Sequence, residues 1–456
     1  MRVNNEVTNL NYSVWDYILR IASIAGFSFL CFIIFQNKST PLSSFIWSSI
    51  AFLFITVFST IILFKNTKWV WFFVLAYVFK ILIGILHYLY FIDPNYFQTG
   101  IYSPVNPEYA AVYDYIINSA HDKLTHGILY FRYHPGGVTH QEILSFISIP
   151  FMFFGDYAMT IAPINAFSSL LISMNVILLS RFKFQYSSKS VKPIALLTAY
   201  FPMTLISSLL YRDIVGLALM SVGLILVLFS KRPITQYVML IIACYLFYLQ
   251  RTVYPLILLM AFIINAVINR NYKSKGWNLF YKVATVIVSI VVVSFVFAYA
   301  NIEAYHDLAA RGLDFNIILF PIRMIVGLIG PFPWAQFLLY ETIPAVAYQL
   351  QDYLQGALNI TIFVAIIFNW RKYFKKGSLN LLNLTGVWLI ITGIMTPYMH
   401  MTYIAKGFMF LIPILFAQIR LSEFRKRYLY SFLAILFLNI IVVVFFDELG
   451  LSRLWR

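Results

Sequence analysis

Charge is scarce in this chain. Asp, Glu, Lys and Arg make up 11% of its 456 residues and hydrophobic residues 61%, where a soluble domain carries roughly 25% charge. Acids are the rarer sign, 17 against 33 Lys and Arg. Cysteine is nearly absent: Cys31 and Cys244 both stand inside apolar runs, which leaves no disulfide framework and no Cys/His metal spacing. HExxH, DxD, GxSxG, P-loop and Rossmann patterns are all missing, and the short basic loops offer no seat for nucleotide chemistry. There is no low-complexity linker and no internal repeat. The opening MRVNNEVTNLNYSVWDY is polar and lacks the pattern of a cleavable signal.

What is present is a succession of apolar runs near the ~20 residues that a spanning helix needs. They predict an all-α polytopic transmembrane bundle of about 13–14 spans in one integral membrane domain, 1–456. The spans fall at 18–35, 42–64, 69–92, 158–180, 193–211, 214–230, 237–249, 253–269, 280–299, 357–370, 380–397, 407–419 and 428–446. Between them lie basic clusters such as Lys65/Lys68, Arg181/Lys183/Lys189/Lys192, Lys231/Arg232 and Arg371/Lys372/Lys375/Lys376. This placement fits the positive-inside rule rather than nucleic acid, which is not expected as a partner. With every cluster in the cytoplasm the amino terminus is inside, and two larger outer loops fall at about 93–157 and 300–356. EILSFISIPFMFF (142–154) is short and contains Pro150, so we read it as a re-entrant or tilted helix; a full crossing would reverse the topology of everything before it.

Four cations stand alone in apolar surroundings on the outer side. Arg212 precedes Asp213 in SSLLYRDIVGLALM; Arg251, Arg323 and Lys406 are the others. Any one of them reads equally as a snorkelling side chain or half of a structural pair. Four on one side would make a cationic pocket for a phosphate or pyrophosphate head group. The first outer loop adds Glu108, Asp114 and Asp122 with His121, His126, His134 and His140; its PEYAAVYDYIINSAHD stretch has the spacing of an amphipathic surface helix. No metal or other cofactor is expected, because His121, Asp122 and His126 have no recognised ligand spacing. In the second loop GPFPW makes a rigid corner with Trp334 at the interface, either a structural turn or a substrate contact.

The layout resembles the bacterial O-antigen and capsule polymerases of the Wzy type, and the wider GT-C class of polyprenyl-linked glycosyltransferases. PEYAAVY is similar to the acid-plus-tyrosine start of the first outer loop in GT-C enzymes. FPMTLISSLLYRDIVGLALMSVGLIL is similar to a segment of polysaccharide-assembly proteins, and Arg212 to Gly223 has the Arg-x10-Gly spacing of some polymerases. The chain departs from the pattern in having Arg212 in a tight turn and Glu108 where GT-C enzymes more often have Asp. The resemblance implies a GT-C-like fold in a bacterial inner membrane, a substrate of undecaprenyl-pyrophosphate-linked glycan, and work at the outer leaflet. It also implies a catalytic base among Glu108, Asp114 and His134, and a substrate-binding set of Arg212, Asp213, Arg251, Arg323, Lys406 and Trp334. Membrane lipids, a chain-length regulator and a flippase of the same route are the implied partners. Two other readings stand beside it: a GT-C enzyme adding a single sugar from a polyprenyl-phosphate donor, and a transporter of lipid-linked sugars.

Overall fold

The computed structural model describes residues 12–91, 95–100, 107–131, 133, 141–200, 213–269, 275–300, 343–368, 380–394 and 401–445. Among them every regular element is helical. Among the described residues five helices are long and apolar enough to cross a membrane: Val14–Ile34, Pro41–Phe64, Lys68–Leu86, Ala158–Lys183 and Pro233–Gln250. The chain divides into two compact units, Met1–Thr252 and Val253–Arg456.

In the first unit the helices are α1 (Val14–Ile34), α2 (Pro41–Phe64), α3 (Lys68–Phe91), the single turn α4 (Tyr96–Thr99), α5 (Pro107–His126), α6 (Gln141–Phe154), α7 (Ile161–Leu178), α8 (Ser188–Tyr200), α9 (Asp213–Phe229) and α10 (Pro233–Gln250). Local chemistry sets their ends. Ser13 caps α1 and Asp16 reaches back to the Ser13 N–H at 3.1 Å, a reciprocal box that fixes the start. Thr40 and Ser43 do the same for α2, with Pro41 in the first turn, and Lys65 at φ 49° ends it.

α7 forms the axis of this unit, since 89% of its membrane-length window is buried. Its polar side chains tie it to its neighbours. Asn175 accepts from the Tyr17 hydroxyl of α1 at 2.8 Å and donates to Ser221 of α9 at 2.8 Å, and Ser173 bonds Thr198 of α8 at 2.7 Å. In hydrocarbon each such bond contributes on average about 0.6 kcal/mol. α9 and α10 approach closely where Gly223 faces Ala243, with only 3.1 Å between a Cβ at Gly223 and that of Ala243.

The two ends of the unit differ. At one, Arg20 donates to the Tyr12 hydroxyl at 2.6 Å and closes the last carbonyls of α2, including Leu63 at 3.2 Å. Tyr12 lies 4.9 Å from the Phe182 ring and 5.6 Å from Phe229. Lys65, Lys68, Arg181, Lys183, Lys231 and Arg232 adjoin the helix termini that meet at this end, which we call the basic end.

At the other end α3 arrives, the chain stays through α4, α5 and α6, and α7 departs. Tyr96 packs 4.8 Å from Tyr88 of α3 and accepts from the Met159 N–H at 3.1 Å, just before α7. The far end of α6 is held there as well: Phe153 O accepts from Asn37 N at 3.2 Å and Phe154 O from the Ser44 hydroxyl. Its near end meets α10, where the Glu142 carboxylate comes close enough to Tyr248 for its charge to act on the phenol. Both flanks of α6 therefore lie at one end, and this 14-residue helix does not link the two ends.

The second unit contains α11 (Tyr254–Asn269), α12 (Lys275–Ala300), α13 (Ile343–Phe368), α14 (Leu381–Ile394), α15 (Met401–Gln418) and α16 (Leu421–Phe445). α14 and α15 meet backbone to backbone, because a Cβ at Gly407 would stand 2.4 Å from Gly386 O. Small residues make such an approach possible without a hydrophobic drive between helices. α13 begins at Ile343, ahead of the expected span from 357 and within the stretch 300–356 expected as an outer loop, since PAVAYQLQDYLQ carries its apolar periodicity ahead of the run from 357. α8 begins at Ser188, ahead of the expected start at 193; residues 201–211 of that expected span lie outside the described residues.

Candidate functional site

The non-basic end of the first unit carries the polar chemistry, and α5 organises it. Val112, Tyr115, Ile116, Ser119, Ala120 and Lys123 are buried at helical spacing, whereas Asp114, Asn118 and His121 are exposed. The buried stripe packs on α6 through hydroxyls as well as carbon. Ser148 donates to Ser119 at 3.2 Å, and both are fully buried.

Lys123 lies in this seam with 3% of its surface exposed. Its ammonium donates to Ser145 Oγ at 2.5 Å, Tyr130 O at 2.6 Å and Ser119 Oγ at 3.3 Å. Burial lowers its pKa and the Asp122 charge opposes that fall. All three N–H bonds are consumed inside the protein, so Lys123 anchors α5 and the turn after it to α6 and has no donor left for a ligand.

The outer face of α5 is pinned at the junction beyond α6. Gly155, at φ +78°, turns the chain where a side chain would be strained and would press on Lys38. That turn presents Asp156. Its carboxylate meets His121 Nε2 at 2.8 Å, and its backbone carbonyl accepts from the Tyr113 hydroxyl at 2.5 Å. Burial, then the Asp156 and Asp114 charges, push the Tyr113 phenol up to about 12. A carboxylate on one ring nitrogen orients the imidazole and leaves the other nitrogen to work as acid or base. Asp114 is one heptad before His121, on the same exposed face about 10.5 Å along the axis.

At the same end α9 begins with Asp213, 4% exposed. Its carboxylate accepts from Gln250 Nε2 at the last residue of α10. The Gln250 head group lies on the backbone of Gly216, where a Cβ would come within 1.4 Å of Gln250 Oε1. Arg251 caps α10 and is partly exposed.

The first unit thus brings Asp114, Asp213 and Arg251 to one end. Asp213 is buried and accepts from Gln250. Glu108 is in the first turn of α5, its side chain outside the described atoms, and the Tyr109 side chain is too. His134, Arg212, Arg323 and Trp334 lie outside the described residues. Lys406 belongs to the second unit, on α15 beside Gly407, with 1% exposure. Sequence reasoning missed Lys123, Ser145, Asp156 and Gln250. His121 was visible only as one histidine among several, because its partner is 35 residues away across a turn. Among the described residues no group of three His, Cys, Asp or Glu side chains is placed to hold a metal ion. No known protein family, curated protein or solved structure matches the chain.

Proposed function

We propose that this protein polymerises undecaprenyl-pyrophosphate-linked oligosaccharide repeat units at the outer leaflet of a bacterial inner membrane. The observation that carries the proposal is the division of the first unit: cations gather at one end, while the acids and histidine of α5, with Asp156, Asp213 and Arg251, gather at the other. Under the positive-inside rule the basic end is cytoplasmic. The site then faces the side where lipid-linked glycans are assembled.

In the reaction a hydroxyl of the acceptor sugar attacks C1 of the donor sugar. The new C–O bond forms as the bond from C1 to pyrophosphate breaks, and undecaprenyl pyrophosphate leaves with the electron pair. The acceptor proton passes to a base of the α5 region. Glu108 is first choice and Asp114 and His134 stand behind it; the His121–Asp156 pair joins them because its imidazole is already oriented. Arg212 and Arg251 neutralise the leaving pyrophosphate. Asp213, held by Gln250, positions the start of α9.

Glycan length in cells tests this reading. Glu108→Gln keeps the shape and removes the basicity, so it abolishes chain lengthening at unchanged protein level. Arg212→Lys loses much of the activity, because an ammonium lacks the planar two-pronged donor face. Product that gains one sugar and never lengthens assigns the chain to the single-sugar transferases instead.

A further inference from the structure

The basic end holds more than topology requires. After α7 the chain widens into one π turn, Leu179–Lys183, and Gln185 follows at φ 52°. This π turn packs against α9, and its Lys183 feels the like charge of Lys231 in the α9–α10 turn. Both are exposed, and Arg181 stacks 5.2 Å over the Phe182 ring beside them. Beneath lies the aromatic floor of Tyr12, Phe182 and Phe229. Among the described residues no acid pairs with Arg181, Lys183 or Lys231; Asp16, a described acid of this end, acts on Arg20 and Lys65.

Directly below the cations an apolar surface runs into the membrane. α10 starts at Pro233, two residues past Lys231, and Ile234, Val238, Ile241 and Tyr245 are exposed along one face. Its other face, with Met239, Ala243 and Phe247, packs inward. Like charges with no acid paired to them among the described residues, above an exposed apolar stripe, match a molecule with an anionic head and hydrocarbon tails.

We propose that the π turn after α7 and the α9–α10 turn form a binding site for an anionic phospholipid of the cytoplasmic leaflet. Lys183 and Lys231 hold its phosphate and the exposed face of α10 lies along its acyl chains. The site is independent of the glycan chemistry at the opposite end. The lipid phosphate relieves the Lys183–Lys231 repulsion, and the interfacial location makes such contacts stronger than free-solution charge pairs.

Native mass spectrometry of the detergent-purified full chain tests it, with palmitoyl-oleoyl phosphatidylglycerol as probe and the phosphatidylcholine of the same chains as control. Phosphatidylglycerol is retained over phosphatidylcholine, and Lys183→Gln with Lys231→Gln weakens it about 30-fold, from the usual contribution per interfacial cation. Lys183→Arg with Lys231→Arg keeps retention, and Lys38→Gln at the other end changes nothing. If the double Gln variant does not fold, each single change carries the test at about fivefold. Equal retention of both lipids, an unaffected double Gln variant, or displacement by millimolar inorganic phosphate each overturns the proposal, the last because it means a phosphate site without a lipid.

Discussion

Gly216→Ala probes how Asp213 is held. A methyl there would overlap the Gln250 side chain, at 1.4 Å from Oε1, 2.4 Å from Cδ and 3.1 Å from Cβ. No small shift of a packed helix pair accommodates that, so the Gln250 head group swings away and takes its N–H from the buried Asp213 carboxylate. Losing a hydrogen bond to a charged group costs about 1.5–3 kcal/mol. Exchanging glycine for alanine in a helix returns up to about 1 kcal/mol. The net expectation is destabilisation by roughly 0.5–2 kcal/mol, read as a shift of the unfolding midpoint on SDS titration of the purified protein. In a Gln250→Ala background the overlaps with Oε1 and Cδ are gone and only the 3.1 Å contact with the Cβ of residue 250 is left, so the destabilisation should largely vanish, with at most about 1 kcal/mol returned by alanine over glycine. Coupled neighbours show that non-additivity and distant sites do not. Equal effects in the two backgrounds would refute the claim that Gly216 exists to seat Gln250.

Lys123→Met preserves length and removes all three donors, leaving Tyr130 O and Ser145 without their partner; it should destabilise by about 1–3 kcal/mol and raise the proteolytic susceptibility of the turn after α5, whereas unchanged cleavage would mean that α5 is held by other contacts. Tyr113→Phe bears on alkaline stability. The folded protein keeps this phenol proton to about pH 12 while an unfolded chain releases it near 10, so the fold binds more protons in that window and loses stability as pH rises through it. The variant should show a smaller drop in melting temperature between pH 9 and pH 11, and an identical drop would contradict the assignment. Single cysteines at Asn118 and Lys189, both exposed, test orientation: a membrane-impermeant maleimide added to whole cells should label the first and spare the second, and the reverse pattern turns the protein over.

The positions of these apolar helices were legible because hydrocarbon demands long apolar runs. Val14–Ile34 was anticipated as 18–35, Pro41–Phe64 as 42–64 and Asp213–Phe229 as 214–230. The errors are at ends where polar residues continue a helix: Val14 starts early because Ser13 and Asp16 cap it, a signal available in the sequence but outweighed by hydropathy. The site was less legible. Asp213 stood out as a charge in an apolar run, yet its partner Gln250 is named only by the pairing of α9 with α10. Lys123 was not singled out in the sequence at all, since its burial depends on α6 packing against α5. Both are long-range facts, set by which helices meet rather than by local spacing.

Elongation by the purified protein tests the central claim most directly. The full chain in proteoliposomes would be given lipid-linked repeat units extracted from its source cells, with no nucleotide sugar present. The account predicts a ladder of products spaced by one whole repeat unit, released undecaprenyl pyrophosphate in step with it, and loss of both with Glu108→Gln. Repeat units that remain single, or that gain one sugar only when a polyprenyl-phosphate sugar is supplied, would contradict it.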